Sequence, residues 1–388
     1  MPLKAKKDFL RCRDMYDLVI KGGLLIDPYQ GIMEKMDVAI SDGKVSALEP
    51  HISASEGRHL FDASGQIVTP GLIDLHTHVC HGITYLSVDP EASCLPRGST
   101  TVVDAGTIGE LLFEGFRRFI IDASRSRIYA FLNVGSLGLV YYFRKQEWAK
   151  LIPEPSMTPL FINLEDAART VEANRDVILG IKWHSTYGLD PALRLARELA
   201  DRTGCLLMCE NHHQPIVLRQ LKPGDIVTHV FHGLHSQGLL DEDGKVRQEF
   251  YEAIKRGVIL DVGHGVASFS WEVAERAMEQ GIKPDTISTD LHIRNVNGPV
   301  FDLPTTLSKF LLLGLTLEEV IRAATAKPAE VLGKAGILGT LKPGAEGDAV
   351  VFRLEEGRFS FIDTKGVQRI GKTRLVPTVT VRRGVLIT

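Results

Sequence analysis

The sequence lacks several features that mark particular classes of protein. It has no run of about 18 or more apolar residues, so we expect no transmembrane helix. Neither charge sign predominates, because 45 lysines and arginines oppose 48 aspartates and glutamates for a net charge of −3. This balance gives no basic surface for nucleic acid or an anionic membrane. The five cysteines are few and scattered, which argues against a disulfide framework and predicts a reducing, cytoplasmic location.

What the sequence does contain is the composition of an ordinary globular protein. Its 388 residues are 44% hydrophobic and 24% charged, and this length favours one large domain with a smaller accessory module. Residues 1–15 are basic and lack the apolar stretch of a secretory signal, so we interpret them as a flexible leader. We expect a small-molecule substrate as the partner and leave a homo-oligomer as an open alternative.

The chain has β-type runs at both ends and a different pattern between them. Residues 16–69 carry short runs with turn signals such as Asp42-Gly43, and residues 340–388 return to β character. We predict that the two ends pair into one small β-sandwich. In residues 70–339, eight apolar runs alternate with helical segments. This pattern predicts an α/β fold with buried parallel strands, a TIM (β/α)8 barrel.

The first apolar run, Ile67–Leu75, is predicted to be one strand that leads into His76 and His78. Side chains alternate between the two faces of a strand, so these two imidazoles point in the same direction. They can therefore share one divalent cation such as zinc. The spacing alone is weak support, because exposed loop histidines also fall two residues apart.

Other strand ends carry similar side chains. In a TIM barrel the catalytic groups lie at the carboxyl ends of the strands. The polar residues that end the later runs are Lys182, Glu210, His229, Asp261 and Asp290. Each has an ordinary structural explanation when taken singly, as a buried histidine, a surface lysine or a helix cap. Together they predict a metal site.

Four stretches resemble motifs of the amidohydrolase superfamily of metal-dependent hydrolases. They are Pro70-Gly-Leu-Ile-Asp-Leu-His-Thr-His, Gly180-Ile-Lys, Thr228-His-Val-Phe-His-Gly and Ser288-Thr-Asp-Leu-His. The resemblance covers essentially the whole chain, since the split β module is also a feature of the family. Three further stretches are similar to the dihydroorotase-like branch of deacetylases and acetyl-hydroxy-acid esterases: Asp261-Val-Gly-His-Gly-Val-Ala-Ser-Phe, Arg294-Asn-Val-Asn-Gly-Pro-Val and Ser308-Lys-Phe-Leu.

The resemblance implies a centre with two divalent cations, for which zinc is the first expectation. His76, His78 and Asp290 would hold the more buried ion, and His229 would hold the second. Lys182 matches the lysine that is carboxylated in this family, and its CO2-derived carbamate would bridge both ions. Asp290 would also act as the general acid/base, taking a proton from the attacking water and passing it to the leaving group.

The fifth strand departs from the family pattern. Where the branch has a histidine, this chain has Cys209-Glu210-Asn211-His212-His213. Glu210 is our first candidate for the ligand, because a carboxylate binds divalent cations. Cys209 takes this place if the alignment slips by one residue, and His212 shares the strand parity of Glu210.

Three residues near the strand ends are candidates for substrate binding. Arg294 follows the eighth run, where its guanidinium can pair with a substrate carboxylate. His232 and His264 are expected on the same face and are candidates for the pocket lining. A structural role is an equal alternative for each of the three.

These features predict a metal-dependent hydrolase that cleaves an amide or ester bond in a small, carboxylate-bearing substrate, an N-acyl amino acid or an acyl hydroxy acid. The first alternative is a cyclic amidohydrolase of the dihydroorotase or hydantoinase type, or a deaminase, because these enzymes share the metal site and differ in the pocket loops. The second alternative is a non-catalytic, metal-poor scaffold protein, which the departure in the fifth strand supports.

Overall fold

The computed structural model describes residues 15–140, 159–184, 191–210, 216–233 and 238–387. In these residues the chain is a mixed α/β fold with two β-sheets, one of them parallel and one formed by segments from both ends. The predicted leader lies outside the described residues apart from Met15, so it stays a prediction.

The amino-terminal strands lie in the sheet that both ends share. They are β1 (Tyr16–Asp27), β2 (Ile32–Ser41), β3 (Lys44–Glu49), β4 (Gly57–Asp62) and β5 (Ile67–Pro70). β2 and β3 pair antiparallel across a two-residue turn, in which Asp42 and Gly43 both have positive φ. This turn confirms the hairpin that the Asp-Gly pair predicts.

Within the ranges that the structure describes, seven strands form the parallel sheet. They are β6 (Leu72–Thr77), β7 (Ser99–Ala105), β8 (Arg127–Asn133), β9 (Ile178–Trp183), β10 (Leu206–Glu210), β11 (Ile226–Thr228) and β12 (Ile259–Leu260). Each strand pairs with the next strand in the sequence. Their carboxyl ends therefore meet at one edge of the sheet.

The predicted eighth run lies between β12 and β6. Single parallel bridges join Thr286 to Asp261 and Leu291 to Thr77. The sheet is therefore curled, because segment 286–291 contacts both its first and its last strand.

In the described residues, ten α-helices follow or connect the strands. They are α1 (Pro90–Ser93), α2 (Glu110–Phe116), α3 (Leu164–Ala173), α4 (Pro191–Thr203), α5 (Ile216–Gln220), α6 (Gln248–Arg256), α7 (Trp271–Glu279), α8 (Leu303–Leu312), α9 (Leu317–Ala323) and α10 (Ala326–Val331). In the part of the chain that the structure describes, none of the helices has the length and apolar character needed to cross a membrane.

The chain then returns to the first sheet through β13 (Ala349–Ile362), β14 (Gln368–Arg382) and β15 (Val385–Ile387). The order in this sheet is β15-β14-β13-β5-β1-β2-β3, with β4 beside β1. Both ends of the chain thus share one sheet, and the predicted sandwich stays a prediction. The long β13–β14 hairpin also packs on α8, where the Leu375 amide donates to Ser308 Oγ over 3.0 Å.

The prediction of one strand over Ile67–Leu75 is wrong, because the chain forms two strands there. β5 ends at Pro70 in the shared sheet, and β6 begins at Leu72 in the parallel sheet. A Cβ at Gly71 would collide with Thr100 and Asp348. Glycine therefore permits the close approach at which the chain passes from one sheet to the other.

Alternate side chains of the parallel strands pack into two apolar layers. Leu75, Phe131 and Met208 belong to a cluster that also contains residues of α10. Trp183 and Cys209 have the opposite parity and pack with the helices that cover the sheet. This alternation decides which residue reaches the candidate site at the ends of β9 and β10, whereas the register of β6 shifts between Asp74 and Thr77, beside His76.

Candidate metal centre

Buried polar side chains converge where the parallel strands end. The six predicted metal ligands all lie there, and successive contacts connect them: His76, His78, Asp290, His229, Glu210 and Lys182. The structure therefore brings together residues that are more than 200 positions apart in the sequence.

The first wall of the centre is formed by His76, His78 and Asp290. Asp290 Oδ1 lies 3.0 Å from His78 Nε2 and 3.6 Å from His76 Nε2. The two imidazole rings have centroids 5.7 Å apart and are inclined at 70°. Both Nε2 atoms thus approach the same carboxylate, as the strand alternation predicts.

A hydroxyl and a carboxylate fix the orientation of His76. Its Nδ1 lies 2.9 Å from Thr228 Oγ1, and this hydroxyl donates to Asp261 Oδ2 over 2.7 Å. Since Thr228 Oγ1 donates its hydrogen to Asp261, the same oxygen accepts the hydrogen of His76 Nδ1. His76 Nε2 therefore keeps its lone pair. Burial favours a raised pKa for Asp261, but its hydrogen bonds and His76 outweigh burial and lower the pKa. Asp261 is therefore an ionised anchor.

His78 has the same kind of support from a different strand. Its Nδ1 lies 2.7 Å from Thr107 Oγ1, which donates to Asp104 Oδ2 over 2.7 Å. The backbone amides of Thr107 and Val79 also donate to Asp104, over 2.8 and 2.9 Å. A group that accepts a hydrogen bond from the second ring nitrogen of a histidine fixes the tautomer and the ring orientation for metal binding.

The carboxylate of Asp290 indicates whether the centre fits a cation. Its Oδ1 is buried and has no hydrogen-bond partner among the described residues. Burial favours a raised pKa for this carboxyl, but His76 and His78 outweigh burial and hold the pKa well below its usual range. A buried, ionised oxygen that accepts no hydrogen bond is costly unless a cation compensates it. The donor set therefore fits a divalent cation.

The protonation state of His76 also fits a metal ligand. Burial, together with the nearby positive charge of Lys182, lowers the pKa of His76 to about 3. The imidazole is therefore neutral near pH 7, and a neutral imidazole is the form that binds metal ions.

His229 lies between the two sides of the centre. Its ring centroid is 5.0 Å from that of His76, and its Nδ1 donates to Gly263 O over 2.6 Å. Donor atoms of His76, His229 and Asp290 lie within 4.8 Å of one another. The structure thus groups His229 with the first wall, whereas the resemblance implies that it holds the second ion.

Backbone strain is present at two of these candidate ligands. His229 has φ 62° and Asp290 has φ 50°. This left-handed conformation costs about 1–3 kcal/mol for residues with a side chain, and such residues cluster at functional sites.

The second wall is formed by Lys182, His184 and Glu210. Glu210 Oε1 is in close contact with His184 Nδ1 and lies 3.8 Å from Lys182 Nζ. It also lies 3.5 Å from His229 Nε2, which connects the two walls. The structure therefore places Glu210 among the candidate ligands.

The structure does not bring Cys209, the alternative ligand of the fifth strand, among the other candidate ligands. Its side chain has the opposite strand parity from Glu210 and packs in the apolar layer beneath the helices. Burial raises the pKa of the Cys209 thiol, which opposes formation of the thiolate that binds metals. The other alternative, His212, lies outside the described residues.

The three candidate substrate residues differ in placement. Arg294 is exposed, where it can meet a ligand that enters from solvent, and His232 is buried. His264 is buried, and Gly265 O and Lys309 Nζ engage its two ring nitrogens at 3.0 and 2.7 Å. This placement favours the structural role for His264.

Sequence reasoning missed several residues of the centre. His184 lies two residues after Lys182 and points to the same side, and Asp104 is the last residue of an apolar run. A search for polar side chains at the strand ends could therefore have found both. His292 is buried 6.2 Å from the His78 ring, and burial lowers its pKa to about 4. Thr107 and Thr228 gave no sequence signal, because threonine is common in strands.

Comparison with known proteins identifies the family. A model described as the amidohydrolase family matches residues 67–372. The chain belongs to the amidohydrolase family. This amidohydrolase is 36% identical over 346 residues to a deacetylase of Brucella anthropi, covering 85% of this chain and 82% of the relative. It is 28% identical over 384 residues to a deacetylase of Enterococcus faecalis, covering 95% and 98%.

Solved structures agree with this assignment. A crystal structure of a dihydroorotase matches the amidohydrolase with a TM-score of 0.85 and 32% identity, covering 96% of this chain and 98% of the other. An adenine deaminase matches with a TM-score of 0.85 and 29% identity, covering 96% and 99%. The predicted resemblance is confirmed. The amidohydrolase is a hydrolytic enzyme, and the alternative of a non-catalytic scaffold is wrong.

Proposed function

We propose that this amidohydrolase uses divalent cations to hydrolyse an amide or ester bond in a small, carboxylate-bearing substrate. The observation that carries the proposal is the buried Asp290 Oδ1, which faces two imidazole Nε2 atoms and accepts no hydrogen bond from the described residues. The relatives named deacetylases support cleavage of an acyl group.

The proposal includes a closed eight-stranded TIM barrel flanked by a β-sandwich. Its support is segment 286–291, which bridges to Asp261, directly after β12, on one side and to Thr77 of β6 on the other. Such closure would place Asp290 opposite Lys182 and Glu210 across the mouth of the barrel.

We choose zinc for both cations, because imidazole and carboxylate groups are ligands that suit zinc. The cations would be held by six residues: His76, His78, Lys182, Glu210, His229 and Asp290. Cations bound there supply Lewis acidity to the scissile carbonyl and lower the pKa of water. Asp290 Oδ1 takes the proton of the attacking water and donates it to the leaving nitrogen or oxygen. Asp290 is ionised at neutral pH, because its pKa lies well below the usual range of a carboxyl group.

Lys182 would serve as a ligand after carboxylation of its Nζ. The carbamate replaces a positive charge with a negative one and offers two oxygens to the cations. Gly106 leaves space for this side chain, because a Cβ at Gly106 would lie 2.5 Å from Lys182 Cβ and Cγ. Glu210, 3.8 Å from Nζ, would be the neighbouring ligand on the second wall.

The substrate class follows from the position of Arg294. This exposed guanidinium lies beyond the general acid/base in the chain and would pair with the substrate carboxylate. An N-acyl amino acid or an acyl hydroxy acid places an amide or ester bond beside such a carboxylate. Arg294→Gln should therefore raise KM for carboxylate-bearing substrates and leave KM for neutral acyl substrates unchanged, and Arg294→Lys should recover part of the loss.

A cyclic amide is the second candidate substrate. The structural match to a dihydroorotase at 32% identity favours it, because ring-opening hydrolysis would use the same centre. Hydrolysis of an exocyclic amine, as in a deaminase, is favoured in the same way by the adenine deaminase match.

A substrate panel with metal analysis tests these proposals. Enzyme prepared with zinc and bicarbonate is assayed on N-acetyl amino acids, acetyl hydroxy acids, cyclic ureides and aminopurines, with a chelator-treated sample as control. We expect chelator-sensitive hydrolysis that is fastest for the first two classes. Faster turnover of cyclic ureides or aminopurines selects the second candidate. Protein that carries metal and cleaves none of them contradicts the proposed substrate class.

A further inference from the structure

Lys309 is a charged side chain buried in α8, outside the six candidate metal ligands. Its Nζ donates to His264 Nε2 over 2.7 Å, to Pro299 O over 2.9 Å and to Ile362 O over 2.7 Å. An ammonium has three N–H donors, so all of them are used. Burial lowers the pKa of Lys309 to about 7, which shows that an ammonium is costly to keep here.

The hydrogen bond from Lys309 gives His264 one orientation. Burial and then the charge of Lys309 hold the pKa of His264 well below its usual value, so the ring is neutral. Its Nδ1 donates to Gly265 O over 3.0 Å, and its Nε2 accepts from Lys309. The ring also stacks on Phe269, with centroids 4.6 Å apart and an angle of 19°. A packed, doubly hydrogen-bonded ring cannot move without its neighbours.

His264 is the middle residue of segment 263–265, which touches two candidate ligands. Gly263 O accepts the Nδ1 hydrogen of His229 over 2.6 Å. The Gly265 amide donates to Thr289 O over 3.0 Å, next to Asp290 in the chain. A Cβ at Gly265 would lie 2.5 Å from Asp290 Oδ2, so the segment also confines that carboxylate. Displacement of His264 would therefore disturb both ligands.

We propose that Lys309 is a positioning residue of the active site, which acts through His264 to hold segment 263–265 and thereby His229 and Asp290. The inference rests on the proposed function, because it takes these two residues as parts of the catalytic centre. It also connects the β13–β14 hairpin with catalysis, since Ile362 is the last residue of β13 and accepts one of the three hydrogen bonds.

The test compares Lys309→Met with Ser308→Ala. Methionine keeps an unbranched, buried side chain but donates no hydrogen bond. Ser308 is a matched control, because it is buried beside Lys309 and its hydroxyl bonds Pro304 O and the Leu375 amide rather than segment 263–265. We expect kcat to fall roughly 10- to 100-fold in Lys309→Met, with KM little changed, and to stay near the wild-type value in Ser308→Ala.

A second readout does not depend on turnover. Hydrogen exchange of the amides in segment 263–265 should be faster in Lys309→Met and unchanged in Ser308→Ala. His264→Leu should reproduce the loss of kcat, and adding Lys309→Met to it should cause no further loss. The single variant His264→Leu also provides the test if Lys309→Met does not fold.

Three results would overturn the inference: wild-type kcat and exchange in Lys309→Met, a wild-type kcat in His264→Leu, or losses of kcat in Lys309→Met and Ser308→Ala that follow their losses in melting temperature. If the wild-type enzyme binds no metal, the proposed function fails. The exchange comparison still shows whether Lys309 orders segment 263–265.

Discussion

The two walls of the metal centre differ in how their carboxylates are compensated. On the first wall, Asp290 Oδ1 is buried and has no hydrogen-bond donor among the described residues. On the second wall, Glu210 Oε1 contacts His184 and lies 3.8 Å from the Lys182 ammonium. A cation from outside the chain would compensate the first wall, whereas the second is balanced by the chain's own groups. We infer that the second wall becomes a cation site when Lys182 loses its positive charge.

The largest expected effect comes from Asp290→Asn on the first wall. Asparagine keeps the size of the side chain but cannot take a proton from water, so turnover should fall roughly 10²–10⁴-fold. The measurement is kcat on the best substrate of the panel, with metal content determined on the same sample. Near-normal turnover would show that Asp290 is not the general acid/base.

The hydroxyls behind the histidines should have the next largest effect. Thr228→Val removes the acceptor of His76 Nδ1 and Thr107→Val removes that of His78, so each should weaken metal binding about 10- to 100-fold. Competition with a chelator measures the affinity. Thr286→Val is the graded control, because Thr286 donates to Asp261 one step farther from the ring. Equal losses in all three variants would point to general destabilisation.

Glu210→Gln tests whether the second wall is independent of the first. Enzyme prepared with zinc and bicarbonate should lose about one equivalent of metal, since an uncharged amide is a poor substitute for a carboxylate ligand. The first wall should keep its ion. Omission of CO2 and bicarbonate from wild-type enzyme should give the same loss, because the Lys182 ammonium then stays opposite Glu210. Loss of both equivalents would show that the two walls bind metal as one unit.

The smallest effect is the acid sensitivity of the metal-free first wall. The folded pKa of His76 is about 3, below the ordinary value of 6.5. The unfolded chain therefore binds a proton that the folded chain does not, and stability is lost as pH falls from 6.5 toward 3. The slope attributable to His76 reaches about 1.4 kcal/mol per pH unit. Urea unfolding of chelated wild type and His76→Gln measures it, and equal slopes would contradict the low pKa.

The part of the centre that could be predicted from the sequence depends on strand alternation. Because side chains alternate along a strand, the spacing of His76 and His78 predicts that both point to the same side. The same rule separates Glu210, which reaches the site, from Cys209, which packs under the helices. Each of these conclusions needs the local backbone alone, which a short stretch of sequence specifies.

The rest of the centre depends on which residues the parallel sheet brings side by side. Thr228, on a different strand, accepts a hydrogen bond from His76. Asp261, which follows a third strand, accepts one from Thr228. The register between strands sets these contacts, and no stretch of sequence encodes it. The positive φ of His229 and Asp290 is likewise imposed by surrounding contacts, because residues with a side chain seldom adopt that conformation.

The break at Gly71 has a consequence for synthesis of the enzyme. β5 pairs with β1 on one side and with β13 on the other, and the Gly71 amide donates to Asp348 O over 2.8 Å. On the ribosome, β5 therefore keeps an open edge until residues 348–352 have emerged. β5, which leads through Gly71 into the strand that carries His76, therefore completes its pairing only late in translation. Activity should accordingly be absent from nascent chains arrested before residue 348 and should appear once β13 is released.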